Sequence, residues 1–93
     1  MPHDYIPVHC DFYDEVALHA TERTTGKIHY FRSLEEKVLA SSSGPVLDIV
    51  TEFKVEYLIT RQDRIRLDRI VSIFGKPGPA FDVYQSFGNS CAG

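Results

Sequence analysis

The chain has 93 residues and a net charge of −3, with 43% hydrophobic and 25% charged residues; this holds one small core, excludes a second, and excludes a disordered chain. No apolar run approaches the ~20 residues that a membrane-crossing helix needs, and the opening MPHDYIPVHCDFYDE has neither the basic start nor the apolar stretch of a secretory leader. A cytoplasmic protein is therefore expected, with no membrane contact and no structural disulfide between Cys10 and Cys91.

The first element is a helix from Asp11 to about Arg23. Phe12, Val16 and His19 or Ala20 recur at spacings of three and four, and Tyr13 and Ala17 widen the stripe. Asp11 suits an N-cap, and Asp14 and Glu15 place negative charge in the first turn, where the helix dipole favours it. Thr24, Thr25 and Gly26 end the helix. From Lys27 the apolar period becomes two, through Ile28 and Tyr30, which predicts a first strand.

Residues 33–45, polar and then Ser-Ser-Ser-Gly-Pro, are expected to be a loop. Val46–Val50 and Lys54–Thr60 are the next two strands, the latter with Val55, Tyr57 and Ile59 on one face. Arg61-Gln62-Asp63 is a turn, and Ile65 and Leu67 point inward between Arg64 and Arg66 as the chain continues into Ile70, Val71, Ile73 and Phe74. Beyond Gly75 the mixture of Pro, Gly and Ser is expected to add no regular element, so residues 1–75 form the domain and residues 76–93 a flexible tail. One helix followed by five short strands is expected to close into a small antiparallel barrel of the SH3-like or Sm-like kind, because closure removes exposed strand edges.

No constellation for catalysis is spelled in the sequence, and an enzyme is not expected. His9, Cys10, Asp11 and His19 lack metal-ligand spacing, no glycine-rich phosphate loop opens a helix, and no cofactor is expected. Charge is distributed unevenly. Residues 1–22 hold Asp4, Asp11, Asp14, Glu15 and Glu22 with no Lys or Arg, whereas residues 61–76 hold five basic groups against two acidic ones. Arg61, Arg64, Arg66 and Arg69 suggest an RNA-binding strand, but Asp63 and Asp68 interrupt them and no aromatic RNA-binding pattern accompanies them. On the helix face opposite the core stripe, Asp11, Asp14, Glu15, Leu18 and Glu22 form an acidic ridge with an apolar centre, suited to a basic partner groove or simply to solvent.

The string Tyr5-Ile6-Pro7-Val8-His9-Cys10-Asp11-Phe12-Tyr13-Asp14 resembles the Y-x-P-I-x-C-x-x-Y-D opening of the Rho-binding antiterminators, the Rof or YaeO family. Asp48-Ile49-Val50-Thr51 with Val55-Glu56-Tyr57-Leu58 resembles the family's D-L-V-S and V-E-Y-L pair, and Ile65–Ser72 resembles its L-R-L-D-K-I stretch. The resemblance implies an N-terminal helix on an Sm-like five-stranded barrel. It also implies an inhibitor of transcription termination that binds the RNA-binding N-terminal domain of the hexameric helicase Rho and blocks RNA loading. By that resemblance Asp11, Tyr13 and Asp14 are the contact residues; Glu15, Leu18 and Glu22 join them only through the face they share. Direct nucleic-acid binding is not expected on this reading, and a monomer is.

Overall fold

The computed structural model describes residues 8–33 and 35–85. Helix α1 runs from Cys10 to Glu22, followed by strands β1 (Lys27–Ser33), β2 (Val38–Ser43), β3 (Asp48–Glu52), β4 (Val55–Ile59) and β5 (Arg64–Arg66). A 3₁₀ turn at Leu67–Arg69 leads into β6 (Ile70–Ile73), and β7 (Lys76–Pro77) follows. The protein is mostly β with one N-terminal helix and two antiparallel sheets, ordered β2-β1-β6-β7 and β3-β4-β5. Neither sheet closes on itself, so the expectation of five strands in a closed barrel is met only in its coarser part.

The helix starts one residue earlier than its sequence pattern suggests. His9, not Asp11, is the N-cap: its extended backbone precedes the helix, and its Nδ1 accepts from the Asp11 backbone N–H at 3.1 Å. Asp11 instead lies in the first turn. At the other end Arg23 takes the left-handed conformation (φ 54°), and the Thr24 N–H reaches back to the His19 carbonyl at 3.0 Å, a closure that satisfies the last carbonyls. The helix buries Val16 completely and lays Phe12, Tyr13 and Ala20 against the main core, as the three-and-four spacing predicts. Full burial of a valine side chain contributes about 1.5–3 kcal/mol.

That core gathers Ile28 and Tyr30 of β1, Leu58 of β4, Ile65 of β5, Leu67 of the 3₁₀ turn, and Ile70 and Ile73 of β6. Ile65 and Leu67 are inward, as expected. In β4 the alternation is less clean: Val55 and Leu58 are buried while Tyr57 and Ile59 are only half-buried, because both faces of this central strand are partly covered.

Two segments expected to be irregular are strands. The Ser-rich stretch holds β2, which pairs with β1 from Lys27↔Ser43 to Ser33↔Val38. Its Ser42 is buried without loss of hydrogen bonding, since its hydroxyl meets that of buried Thr60 at 3.2 Å. Thr60 Oγ1 also accepts from the Asp63 N–H at 3.0 Å and so shapes the turn before β5.

The expectation of no regular element past Gly75 is overturned as far as residue 85. Phe74 and Gly75, both at positive φ (51° and 85°), form a two-residue hairpin turn that brings Lys76–Pro77 beside β6. The Gly78 and Ala80 N–H groups then donate to the Val71 and Ile70 carbonyls, each at 2.8 Å, and residues 81–85 form a helical turn. A side chain at position 78 would meet the Ile70 carbonyl oxygen at 2.5 Å, so this close approach of backbones requires glycine. The returning chain buries Ala80 and packs Phe81 against Phe31 and Val71, covering the sheet face away from the main core. Residues 86–93, the rest of the expected tail, lie outside the described residues.

Candidate functional site

The candidate residues all sit on α1, whose position is set by its packing on the main core and by contacts with β3. At about 100° per residue, Asp11, Leu18 and Glu22 fall within about 40° of one another, and Asp14 lies about 60° to one side. The line from Asp11 to Glu22 is about 17 Å long at 1.5 Å per residue. Asp11, Asp14 and Glu22 are exposed, and Leu18, 53% exposed, stands among them as the only large apolar side chain of the helix in open solvent.

The carboxylates differ in what already holds them. Asp11 has His9 Nδ1 at 3.8 Å, a contact that carries charge attraction only when the imidazole is protonated. Asp14 and Glu22 have no ion-pair partner among the described residues. Glu15 is a different kind of residue. It is half-buried, with Lys76 Nζ at 3.4 Å and His19 Nε2 at 4.0 Å from its Oε2. That oxygen is closed off from water and receives no hydrogen bond within normal geometry, so the lysine and histidine beside it supply its compensation. Glu15 thus fastens α1 to the β6–β7 turn. In the same corner His19 Nδ1 lies 3.0 Å from Thr24 Oγ1, and its ring meets that of Phe74 edge-on at 4.8 Å. Tyr13, a contact residue by resemblance, packs its ring against the core.

The structure therefore brings Asp11, Asp14, Leu18 and Glu22 together on one solvent-facing ridge, puts Glu15 on the ridge's inner flank, and turns Tyr13 toward the core. A ridge of exposed carboxylates around an exposed leucine can attract a cationic groove and bury an apolar contact within it. Lys76 counts among the five basic groups of residues 61–76 by position alone, and its pairing with Glu15 is made only by the hairpin after Phe74-Gly75.

The arginines of the second charged segment are more engaged than their number suggests. Arg66 donates from Nε and Nη2 to the two carboxylate oxygens of Asp68 at 3.0 and 2.7 Å, with both side chains largely buried. Arg64 pairs with Glu52 and lies over the Tyr57 ring, 4.2 Å from its centroid. Arg69 donates to the Arg32 carbonyl at 3.0 Å. Arg64, Arg66 and Arg69 line one cleft, and Arg61 does not.

Among the described residues, no three His, Cys, Asp or Glu side chains converge as a metal site would need, and no helix is long and apolar enough to cross a membrane. Cys10 is an exposed free thiol; Cys91 lies outside the described residues. No family model matches the chain, and no curated protein matches it.

Proposed function

We propose that this protein is a Rho-binding antiterminator, acting by binding and not by turnover. The exposed ridge of α1 docks in the RNA-binding N-terminal domain of Rho and obstructs RNA loading. The single observation that carries this reading is that Asp14 and Glu22 stand exposed, without cation partners among the described residues, on either side of exposed Leu18. A groove built to receive phosphates offers unpaired Lys and Arg, and carboxylates spaced along about 17 Å of helix meet several of them at once. Exposed ion pairs contribute only ~0.2–1 kcal/mol each, so steering and register come from Asp11, Asp14 and Glu22 while burial of the exposed half of Leu18 adds about 1 kcal/mol. The resemblance of Tyr5–Asp14, Asp48–Leu58 and Ile65–Ser72 to that family supports the same partner.

On this reading the two sheets are the halves of one Sm-like barrel. Strands β2 and β3 become two arms of a single strand bent at residues 44–47, and the 3₁₀ turn at Leu67–Arg69 links β5 to β6 on the other side. That yields five strands, β1, β2 with β3, β4, β5 and β6. The protein works as a monomer in the cytoplasm, where Rho acts.

The test is calorimetric titration of the protein into the RNA-binding domain of its host's Rho, repeated with Asp14→Lys and at raised salt. The expected result is binding that weakens with salt and falls by about tenfold or more in Asp14→Lys, while the circular dichroism melt of the variant is unchanged. Absence of binding to a Rho domain that still binds RNA, or equal binding by Asp14→Lys, defeats the reading.

A further inference from the structure

We propose a second binding site that takes no residue from α1: the cleft between the end of β1 and strand β5 takes one nucleotide unit of single-stranded nucleic acid, its phosphate on Arg32 and Arg69 and its base on Arg64. The cleft is about 400 Å³ and draws its walls from β1, β4, β5 and the 3₁₀ turn, with no residue from α1. This volume lies within the ~300–1,000 Å³ of small-ligand clefts.

The charges in the cleft decide the chemistry of the occupant. Arg66 is neutralised by Asp68 and Arg64 by Glu52, so neither supplies a net charge. That leaves Arg32 and Arg69 against Asp63 among the lining residues, two cations facing one anion. Arg69 is partly buried, its guanidinium donates to a neutral carbonyl, and no carboxylate pairs with it among the described residues. A guanidinium held this way, without a carboxylate, favours an incoming anion more than a solvated lysine does.

Arg64 decides the shape. Its guanidinium lies over Tyr57 and pairs with Glu52 while the side chain stays about half exposed, so a planar cation already seated on one ring is within reach of a second flat ring. A base inside a duplex presents only its edges, so an unstacked base of a single strand is the fitting ring. The overall negative charge of the chain opposes a polyanion, which places the expected affinity at ~10⁻⁴ M in low salt.

The experiment is amide-resolved NMR of the whole protein titrated with a 5′-phosphorylated uridine pentanucleotide, and in parallel with inorganic phosphate, hexaglutamate and a blunt RNA duplex. The expected outcome is shifts gathered at Arg32, Tyr57 and residues 64–69 for the pentanucleotide, with the other three weaker by about tenfold or more. Two variants test the parts separately. Arg32→Gln, exposed and away from the core, is expected to weaken the pentanucleotide about threefold to tenfold through loss of one phosphate contact. Arg64→Lys keeps the charge, removes the plane, and is expected to weaken it by a similar factor. Phosphate or hexaglutamate binding as well as the pentanucleotide, shifts centred elsewhere, no shifts, or an unaffected Arg64→Lys variant would each overturn the proposal. None of these results bears on the Rho titration, which reads the opposite charge on α1.

Discussion

The β3–β4 hairpin offers a prediction whose sign runs against the usual effect of substitution. Glu52 pairs with Val55, so Phe53 and Lys54 alone make the turn, with φ of 52° and 66°. Two consecutive positive φ values define the turn type that favours Asn-Gly, because its twist matches that of the strands. An ordinary side chain in this conformation costs roughly 1–2 kcal/mol. The Phe53 ring, 93% exposed, recovers almost none of that through packing. Replacing Phe53 and Lys54 by Asn and Gly relieves both residues, and the greater freedom of glycine in the unfolded chain takes back roughly 0.5–1 kcal/mol. The net expectation is a gain of about 1 kcal/mol, a rise in Tm of ~4–8 °C for a domain this small. Urea unfolding followed by far-ultraviolet circular dichroism measures it, with the midpoint raised and the slope unchanged. A midpoint equal to or below that of the parent would refute the strain argument and show that Phe53 is held by contacts in the folded state.

Gly26 has φ +153°, and a Cβ there would stand 2.7 Å from Phe74 Cδ1, so Gly26→Ala must displace the Phe74 ring from His19. A loss of about 1–3 kcal/mol is expected in the same urea assay, together with altered chemical shifts of the His19 ring protons; an unaltered midpoint would show that the ring gives way freely. Glu15→Gln removes the charge facing Lys76 and His19 but leaves the outer ridge intact. It is expected to lower stability by about 0.5–1 kcal/mol and to leave Rho binding within about twofold of the parent, and a tenfold loss of binding in a fully folded variant would return Glu15 to the contact surface.

Much of this molecule is legible along the chain. The helix is announced by Phe12, Val16 and Ala20 at spacings of four, and β1 by the change to a period of two at Ile28 and Tyr30. The exposed ridge follows from the same helical period, because whatever lies opposite Val16 must face solvent. These features depend on residues within a turn or two of each other, and local spacing is enough to specify them. The N-cap is not legible because His9 does with its ring nitrogen what the pattern assigns to a carboxylate two residues later, at Asp11.

The remainder was decided by partners far away in sequence. Ser41–Ser43 has no apolar alternation, yet it is strand because β1 offers a ladder and Thr60 receives the hydroxyl of Ser42. Residues 76–80 lack periodicity, yet the carbonyls of Ile70 and Val71 and the outer face of Phe31 hold them. Which carboxylates are paired was likewise invisible: Glu15 and Asp14 are neighbours in sequence, but only the fold brings Lys76, some sixty residues on, to one and leaves the other without a cation among the described residues. Periodicity is a property of neighbours, so the sequence by itself determined the apolar faces of α1 and β1; the buried side of β4, the hydrogen-bond ladders, the ion pairs and the cleft are properties of segments brought together, and only the tertiary structure decided those.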